Sequence, residues 1–396
     1  MRNTFTQLDS LLLAHQALWR FEPFHACFNR AYPWHSQFPQ LTAWLESLCD
    51  DKVEHLKLHP EALTQEWLTL FPGFSIINDI VLLPSSRSHS LVLPRGLDTG
   101  IPGRKLAQIV SMSEVALYDH VGTEWLEWCA GKGFLGRILA QQSHQKVTSF
   151  EWQQALCDSG QEIADKQSIP MHFIQGDAFT PEAKAVFNPN QHAVALHACG
   201  DLHVRLLELS VYYQLPAITI SPCCYHLINS EHYRPLSEQA QLSTLLFTRS
   251  ELSIPLHETV TGGERVKRHR RLEMIYRLGL QLLLTEQYGA QSYIPIPSIK
   301  KSLLANGFQA FCHWASEKKQ LGLVDCDWDY YANEGEKRFK QMERLSLVQQ
   351  VYRRAIEIWL AMDKALYLQE NGYQVEMSTF CQREVTPRNI LIHAKK

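Results

Sequence analysis

Short apolar runs alternate with amphipathic helical stretches through the middle of the chain. We interpret five of these runs as strands, and they cover residues 124–129, 147–150, 171–174, 193–197 and 217–221. Apolar positions at helical spacing follow three of the runs, over residues 135–142, 153–166 and 202–210. Strands that alternate with helices usually pair in parallel, so the pattern predicts a doubly wound α/β sheet.

The alternation ends towards the C-terminus. A helical pattern runs from about residue 343 to residue 370, and Asn371 and Gly372 form a typical helix stop. Two further strands follow at residues 373–380 and 389–393, with only a short polar loop between them. Adjacent strands without an intervening helix pair as an antiparallel hairpin. The pattern therefore predicts a mostly parallel, seven-stranded sheet that ends in an antiparallel hairpin.

The segments outside this alternation differ from it in composition. Residues 1–90 read as mainly helical and are rich in aromatic side chains, and a Pro/Gly/Ser-rich passage follows at residues 84–103. Two apolar runs near that passage, residues 80–83 and 91–93, are compatible with a small hairpin. We predict three segments: a helical N-terminal region at 1–103, the sheet core at 104–228 and 343–396, and an insertion at 229–342 that is a candidate for substrate recognition.

A glycine-rich turn after the first strand carries the most specific motif. Gly131, Gly133 and Gly136 stand at GxGxxG spacing, and Glu151 follows about twenty positions later. Glycines at this spacing let the backbone approach a nucleotide and let the helix pack on the strand. A carboxylate at the position of Glu151 can accept hydrogen bonds from ribose hydroxyls. The motif therefore predicts a cofactor that contains adenosine.

Polar residues also follow the third and fourth strands. Asp177, next to Ala178, ends the third strand, where a carboxylate can accept a hydrogen bond from an adenine amino group or instead cap a turn. His197, Cys199 and Asp201 follow the fourth strand. Because ligands of open parallel sheets bind outside the carboxyl ends of the strands, we expect these three residues beside the reactive end of the cofactor.

The fifth strand is followed by Ser-Pro-Cys-Cys-Tyr-His at residues 221–226, and three interpretations of this segment stay open. The first is substrate binding, with Tyr225 stacked on a planar group and His226 as a proton acceptor. The second is a metal site, for which the candidate ligands are Cys223, Cys224 and His226, with Cys199 or His197. The third is a packed structural turn. We favour the first, so the predicted site contains no metal.

Composition and charge narrow the class of protein. The chain has 396 residues, of which 45% are hydrophobic and 20% are charged, and its net charge of −3 gives no global attraction for nucleic acid. It contains no apolar run long enough to predict a membrane helix. The ten cysteines are mostly scattered, which favours a reducing cytoplasm over a disulfide framework.

One stretch within the insertion is strongly basic. Its cations are Arg265, Lys267, Arg268, Arg270 and Arg271. Such a cluster can contact the phosphate backbone of RNA. Apolar residues continue beyond it at helical spacing, so a solvated helix face would explain the same charges, and both interpretations stay open.

Several of these motifs resemble a known family. The glycine turn is similar to the first motif of class I S-adenosylmethionine-dependent methyltransferases, and the closing hairpin is typical of them. His-Ala-Cys-Gly-Asp-Leu at 197–202, the segment 221–226 and Thr-Pro-Arg-Asn at 386–389 together resemble methyltransferase-like proteins named for a ribosomal RNA adenine dimethylase domain. A more distant likeness is to tRNA 2′-O-methyltransferases with a Cys-Cys-His-His segment. The likeness covers residues 104–228 and 343–396.

The resemblance implies a cofactor and an activity. The cofactor is S-adenosylmethionine, and the residues expected to bind it are Cys129, Ala130, Gly131, Gly133, Glu151, Asp177, Ala178 and His197. The activity is direct transfer of a methyl group, in which the enzyme mainly aligns the acceptor. His226 is the first candidate for a base, followed by Asp201 and His197. Substrate contacts are expected from Cys223, Cys224, Tyr225 and Arg388.

The acceptor is less well determined than the cofactor. RNA is expected from the family likeness and from the basic stretch, whereas a protein side chain or a small molecule is the alternative. A non-catalytic RNA- or protein-binding module with the same fold is a further alternative. A nicotinamide-dependent oxidoreductase would share the glycine turn and Glu151, but it would end in a further parallel strand instead of a hairpin.

Overall fold

A computed structural model describes residues 1–29, 31–257 and 263–396 of the protein. The helices in these ranges are α1 (Arg2–Ala14), α2 (Pro23–Ala26), α3 (Pro39–Ser47), α4 (Asp50–Leu58), α5 (Pro60–Leu70), α6 (Ser75–Val81), α7 (Gly103–Tyr118), α8 (Phe134–Ser143), α9 (Gln154–Lys166), α10 (Asp201–Tyr212), α11 (Glu238–Gln241), α12 (Glu264–Tyr288), α13 (Lys301–Leu304), α14 (Phe308–Lys319) and α15 (Trp328–Glu370). The strands are β1 (Glu124–Trp128), β2 (Val147–Glu151), β3 (Met171–Gln175), β4 (Gln191–Cys199), β5 (Ala217–Cys223), β6 (Gln374–Thr379) and β7 (Ile390–Lys395). Short 3₁₀ turns lie at Gln16–Leu18, Pro72–Phe74, Pro181–Val186 and Glu251–Leu256.

The seven strands form one sheet in the order β3-β2-β1-β4-β5-β7-β6. The first five strands pair in parallel, and β7 runs antiparallel to both β5 and β6. The predicted fold class, a doubly wound sheet that ends in an antiparallel hairpin, is therefore confirmed. The strand order reverses between β1 and β4, which places a topological switch point there, where open α/β sheets bind ligands.

Burial explains why these residues form the strands. Every residue of β2 and β5 is buried, as expected for parallel strands that are covered by helices on both faces. On one side of the sheet, α7 and α8 contribute Ile109, Met112, Ile138 and Leu139, each at most 2% exposed, to a continuous apolar cluster. Removing a side chain of this size from water contributes about 1.5–3 kcal/mol.

Three sequence expectations differ from the structure. The small hairpin near residues 80–93 is wrong, because Ile80 lies in α6 and Ser85 instead forms an isolated bridge to Thr379 of β6. Helix α7 was not expected from the sequence pattern. The long C-terminal helix was expected from about residue 343, whereas α15 already begins at Trp328.

The contacts divide the chain into two compact units. The first consists of Met1–Ala14, Ile76–Val260 and Arg353–Lys396 and contains the sheet. The second consists of His15–Ser75 and Thr261–Tyr352 and is built from helices. These limits do not coincide with the predicted segments at 1–103, 104–228 with 343–396, and 229–342. Residues 258–262, within the predicted insertion, lie outside the described ranges.

The second unit has its own aromatic core. Trp19, Trp34, Trp67 and Tyr352 are fully buried in it. The rings of Trp67 and Tyr352 meet edge-on, with centroids 6.0 Å apart.

Within the described residues, no helix is long and apolar enough to cross a membrane.

Candidate cofactor cleft

The turn between β1 and α8 adopts an unusual backbone conformation. Cys129, Gly131 and Gly133 have φ angles of 56°, 60° and 69°, in the left-handed region that favours glycine. A Cβ at Gly133 would lie 2.4 Å from Cζ of Phe173, whereas a Cβ at Gly131 would have no heavy atom within 4 Å. Gly133 is therefore required by packing, while the open side of Gly131 is available to a ligand.

Glu127 supports this turn from inside β1, although sequence analysis did not single it out. Its carboxylate accepts hydrogen bonds from Ser149 Oγ, at 2.8 Å, and from the backbone N–H groups of Leu135 and Gly136. Burial raises the pKa of Glu127 to about 7, and these hydrogen bonds oppose that shift. The signal in the sequence was an acidic residue between the apolar Leu126 and Trp128 of the strand.

Glu151 ends β2 and joins two loops. Its Oε2 accepts a hydrogen bond from the N–H of Gly131 at 2.9 Å, and its Oε1 accepts one from the N–H of Gln153 at 3.0 Å. An ionised carboxylate offers about four acceptor positions, so these two bonds leave capacity for ribose hydroxyls. The geometry of Glu151 therefore permits the predicted binding of ribose hydroxyls, which stays a prediction.

Asp177 follows β3 and also binds its own loop. Its Oδ1 accepts a hydrogen bond from the N–H of Phe179 at 2.9 Å, as in the turn-capping alternative. The neighbouring Ala178 is buried, but Phe179 is 49% exposed and Trp152, after β2, is 62% exposed. Sequence analysis did not single out these two exposed aromatic residues, which follow adjacent parallel strands.

His197 stands where β4 is irregular, and its backbone φ is 68°. Its Nε2 donates to Oε1 of Gln108 at 2.8 Å, which leaves Nδ1 as the acceptor nitrogen. Desolvation and the nearby charge of Lys105 lower the pKa of His197, so the ring is neutral near pH 7. Gln108 and Lys105 come from α7, which explains why sequence motifs did not reveal them.

Three cysteines meet at the ends of β4 and β5. The Sγ atoms of Cys199 and Cys223 are 3.6 Å apart, and the Sγ atoms of Cys199, Cys223 and Cys224 all lie within 4.8 Å of one another. Cys224 has a φ of 48°, which is uncommon for a residue with a side chain. Hydrogen bonds from Cys199 and Cys223 lower the pKa of Cys224, and the charges of Arg388 and His226 act in the same direction.

The start of α10 is held against the loop after β5. The N–H of Asp201 donates to the carbonyl of Leu227 at 3.0 Å, and Oδ2 of Asp201 accepts from the N–H of Asn229 at 2.8 Å. A Cβ at Gly200 would lie only 1.9 Å from the Leu227 carbonyl oxygen. Asp201 therefore positions this loop, in addition to being a candidate base.

The structure corrects the expectation for Tyr225. Its side chain is only 2% exposed, its ring meets that of His203 edge-on, and the Lys364 ammonium lies 5.2 Å from the ring centroid. A ring so enclosed cannot stack on a substrate, so Tyr225 is part of the packed turn. His226 is half-buried, and its Nδ1, which is itself shielded from solvent, has no hydrogen-bond partner among the described residues.

Arg388 lies in the loop before β7. Its Nη2 donates to the carbonyl of Leu256 at 3.1 Å, and its own carbonyl faces Ser221 Oγ at 3.4 Å. It also acts electrostatically on Cys199 and Cys224. The loop before β7 thus contacts the end of β5, and the predicted substrate role of Arg388 stays a prediction.

A cleft opens at the carboxyl ends of β1 and β4. The residues that line it are Lys105, Ile109, Glu127, Trp128, Cys129, Ala130, Gly131, Phe134, Leu135, Leu196 and His197. Four of the predicted cofactor residues, Cys129, Ala130, Gly131 and His197, share this cleft. Gly133, Glu151, Asp177 and Ala178 are absent from its wall, although Glu151 binds Gly131 directly.

The basic stretch belongs to the second unit and lies at the beginning of α12. Lys267 pairs with Glu264 and Arg271 with Glu336, each at 2.8 Å. Its remaining arginines, Arg265, Arg268 and Arg270, are exposed and have no acidic partner in the described part of the chain. Gly262, beside this stretch, lies outside the described residues.

The middle of the chain is similar to a known domain family. A family model described as a methyltransferase domain matches residues 104–231. No curated protein matches significantly. Among solved structures, the bifunctional kinase-methyltransferase WbdD matches with 13% identity and a TM-score of 0.23. The match covers 36% of this chain and 34% of WbdD. The 23S rRNA methyltransferase ErmE matches with 12% identity, a TM-score of 0.23, and 50% against 96% coverage.

A third solved structure is coclaurine N-methyltransferase bound to N-methylheliamine and SAH. It matches with 11% identity, a TM-score of 0.28, and 91% of this chain against 99% of that one. The present chain spans about a third of the length of the WbdD structures that it matches, at 29% and 34%.

The domain match and the sheet agree on one class of enzyme. Residues 104–231 match a methyltransferase domain, and the sheet has the strand order of the class I S-adenosylmethionine-dependent methyltransferases. The cofactor of this domain is S-adenosylmethionine. The nicotinamide-dependent alternative is wrong, because it required a final parallel strand and β7 is antiparallel to both of its neighbours.

The residues of the cleft fit this cofactor. The free space beside Gly131 admits a ligand against the backbone, and Glu151 keeps acceptor capacity for hydroxyl groups. Ile109, Phe134 and Leu196 supply apolar contact surface in the same cleft. Polar anchors within a mainly apolar wall are typical of cofactor sites.

Proposed function

We propose that this protein transfers a methyl group from S-adenosylmethionine to RNA. The observation that carries the proposal is the shared cleft: the open glycine turn after β1 and His197 after β4 line one wall at the switch point of the sheet. We also propose that the chain belongs with the proteins named for a ribosomal RNA adenine dimethylase domain. The motifs at 197–202, 221–226 and 386–389 support this finer assignment.

The chain's own residues have distinct tasks in this proposal. When bound, S-adenosylmethionine supplies an electrophilic methyl group. The Gly131 turn and Glu151 hold the adenosine part, and Asp177 binds the adenine amino group. His226 is the candidate base that accepts the proton of the acceptor. Arg388 orients the acceptor or its phosphate, and alignment of this kind can contribute about 7–11 kcal/mol.

Two features support RNA as the acceptor. The first is the resemblance to families that act on RNA. The second is the group of three exposed arginines on α12, because cations without acidic partners are available to phosphates.

The ten cysteines are all free, which supports the further proposal that the protein works in a reducing cytoplasm.

The acceptor class can be tested with labelled cofactor. The purified chain would be incubated with S-adenosylmethionine labelled in its methyl group and with separated RNA, protein and small-molecule fractions of a cell extract. We expect label in the RNA fraction, and we expect prior ribonuclease treatment to abolish it. Label in protein or small molecules would replace RNA as the acceptor, and cofactor binding without any transfer would identify a non-catalytic module.

A further inference from the structure

The cluster of Cys199, Cys223 and Cys224 is not explained by methyl transfer. The cofactor cleft is lined by Cys129 and His197, and none of the three clustered cysteines belongs to that wall. Cys199 and Cys224 are half-buried, while Cys223 is 2% exposed. The three thiols are brought together from two strand ends, and no disulfide links them.

The distances between the sulfurs match those of a metal site. In a tetrahedral zinc site with Zn–S bonds of about 2.3 Å, the sulfurs stand roughly 3.8 Å apart. The Sγ atoms of Cys199 and Cys223 are 3.6 Å apart, and the whole set lies within 4.8 Å. A movement of about an ångström at Cys224 would therefore complete the triangle.

The backbone around Cys224 supports the same conclusion. A φ of 48° places this residue in the left-handed region, where a residue with a Cβ is strained. Such strain persists where the surrounding structure requires it, and it is concentrated at functional sites. In this conformation Cys224 Sγ joins the sulfurs of Cys199 and Cys223, although Cys223 is its neighbour in sequence.

His197 provides a side-chain nitrogen beside the cluster. Its Nδ1 lies 3.8 Å from Sγ of Cys223, and its Nε2 is held by Oε1 of Gln108 at 2.8 Å. A histidine whose second ring nitrogen donates to a fixed acceptor is the usual arrangement behind a metal ligand. Three thiolates and a divalent cation together carry a net negative charge. Arg388 acts electrostatically on both Cys199 and Cys224, and its positive charge offsets that net charge.

We propose that Cys199, Cys223 and Cys224 bind a thiophilic divalent cation of the Zn²⁺ type, with His197 Nδ1 as the candidate donor for the fourth position. This set differs from the one considered from sequence, because Cys199 replaces His226 among the principal ligands. The site lies beside the cofactor cleft and does not depend on the identity of the methyl acceptor.

Metal binding can be measured without any activity assay. The reduced, metal-free full chain would be titrated with Co²⁺, whose thiolate complexes show a charge-transfer band in the near ultraviolet and visible bands typical of tetrahedral geometry. We expect saturation at about one ion per chain and displacement by Zn²⁺. Absence of these bands in folded, fully reduced wild-type protein would overturn the proposal without requiring any variant.

Variants assign the ligands. Cys199→Ser and Cys224→Ser should lose stoichiometric Co²⁺ binding, and Gln108→Ala should weaken it by roughly tenfold through His197. Cys381→Ser is the matched control, because Cys381 is a half-buried free cysteine in the same unit and lies outside the cluster. If the Cys381→Ser and Cys224→Ser proteins bind Co²⁺ equally well, the assignment is rejected. A disulfide between Cys199 and Cys223 in protein purified without metal chelators would also reject it.

Discussion

The glycines of the turn after β1 serve different physical purposes, although the motif presents them as equivalent. A Cβ at Gly133 would collide with Phe173, and one at Gly136 would lie 2.5 Å from Oε2 of Glu127. Gly131 alone faces open space while adopting a left-handed conformation. Gly133 and Gly136 are therefore packing residues, and Gly131 is the position where a side chain would compete directly with a ligand.

Gly131→Arg tests this difference. The arginine would extend into the open side of the turn, so we expect S-adenosylhomocysteine to bind about tenfold more weakly or worse, a loss of at least about 1.4 kcal/mol. Isothermal titration calorimetry measures this affinity. Gly73→Arg is a control in the second unit, where a Cβ also meets no atom within 4 Å and φ is ordinary. Equal affinities in both variants would remove Gly131 from the cofactor site.

Gly200→Ala concerns the loop after β4. Its Cβ would lie 1.9 Å from the Leu227 carbonyl oxygen, so either the loop moves or the fold loses about 3 kcal/mol or more. Gly372→Ala separates strain from collision, because Gly372 has a φ of 85° but no atom within 4 Å of its Cβ. There we expect a loss of only about 1–2 kcal/mol. Urea unfolding compares the two variants, and similar losses would contradict the collision.

At the scale of elements, buried polar side chains connect neighbouring strands away from the cleft. His192 of β4 bonds through Nε2 to Oγ1 of Thr219 in β5 at 2.8 Å, and Thr219 Oγ1 lies 2.8 Å from Nδ1 of His393 in β7. Nδ1 of His192 also lies 3.0 Å from Nδ1 of His120. The three imidazoles thus form one network, in which His192 and His393 are buried and His120 is partly buried.

This network makes stability depend on pH. Desolvation lowers the pKa of His120, His192 and His393 below the usual value of 6.5, most strongly for His192, and Asp119 only partly opposes the shift at His393. The unfolded chain therefore binds more protons than the native one as the pH falls through 6.5. We expect the histidines to lower the free energy of unfolding as the pH falls below about 6.5, whereas Glu127, whose pKa is raised to about 7, changes it in the opposite direction.

Urea unfolding at a series of pH values between 5 and 8 measures this dependence. The His192→Gln variant should show a flatter profile, because the most strongly shifted group is removed. A difference in unfolding free energy between wild type and His192→Gln that stays the same from pH 7 to pH 5 would show that His192 is not buried as a neutral ring.

The elements also show where the sequence was informative. The strands β1 to β5 were recognised because fully covered parallel strands are short apolar runs, and the hairpin because no helix separates β6 from β7. Helix α7 was missed, since it follows a Pro/Gly/Ser-rich passage that reads as a loop. Its Lys105 and Ile109 line the cleft, so this omission concealed part of the site.

At the scale of the molecule, the sheet and the basic stretch belong to different compact units. The methyltransferase domain at residues 104–231 lies entirely within the first unit. The exposed arginines of α12 lie in the second unit, which the family model does not cover. If these arginines bind RNA as proposed, we expect their replacement to leave cofactor binding unchanged.

Combined replacement of Arg265, Arg268 and Arg270 by Gln tests the RNA-binding role. We expect weaker RNA binding at low salt and a salt dependence whose slope decreases by about 0.7 for each lost phosphate contact. Filter binding over a range of salt concentrations measures both. Replacement of the exposed Lys300, Lys318 and Lys319 by Gln removes the same charge elsewhere in the unit. Identical slopes for the two variants would dismiss the arginines as a specific RNA surface.

The sequence by itself determined the sheet, its closing hairpin and the glycine turn, because these depend on local periodicity and on backbone conformations that few residues adopt. Only the tertiary structure decided which side chains meet. It buried Tyr225, brought Gln108 to His197, and gathered Cys199 with Cys223 and Cys224. The physical reason is that such contacts join residues from separate strands and helices, whose spacing along the chain carries no periodic signal.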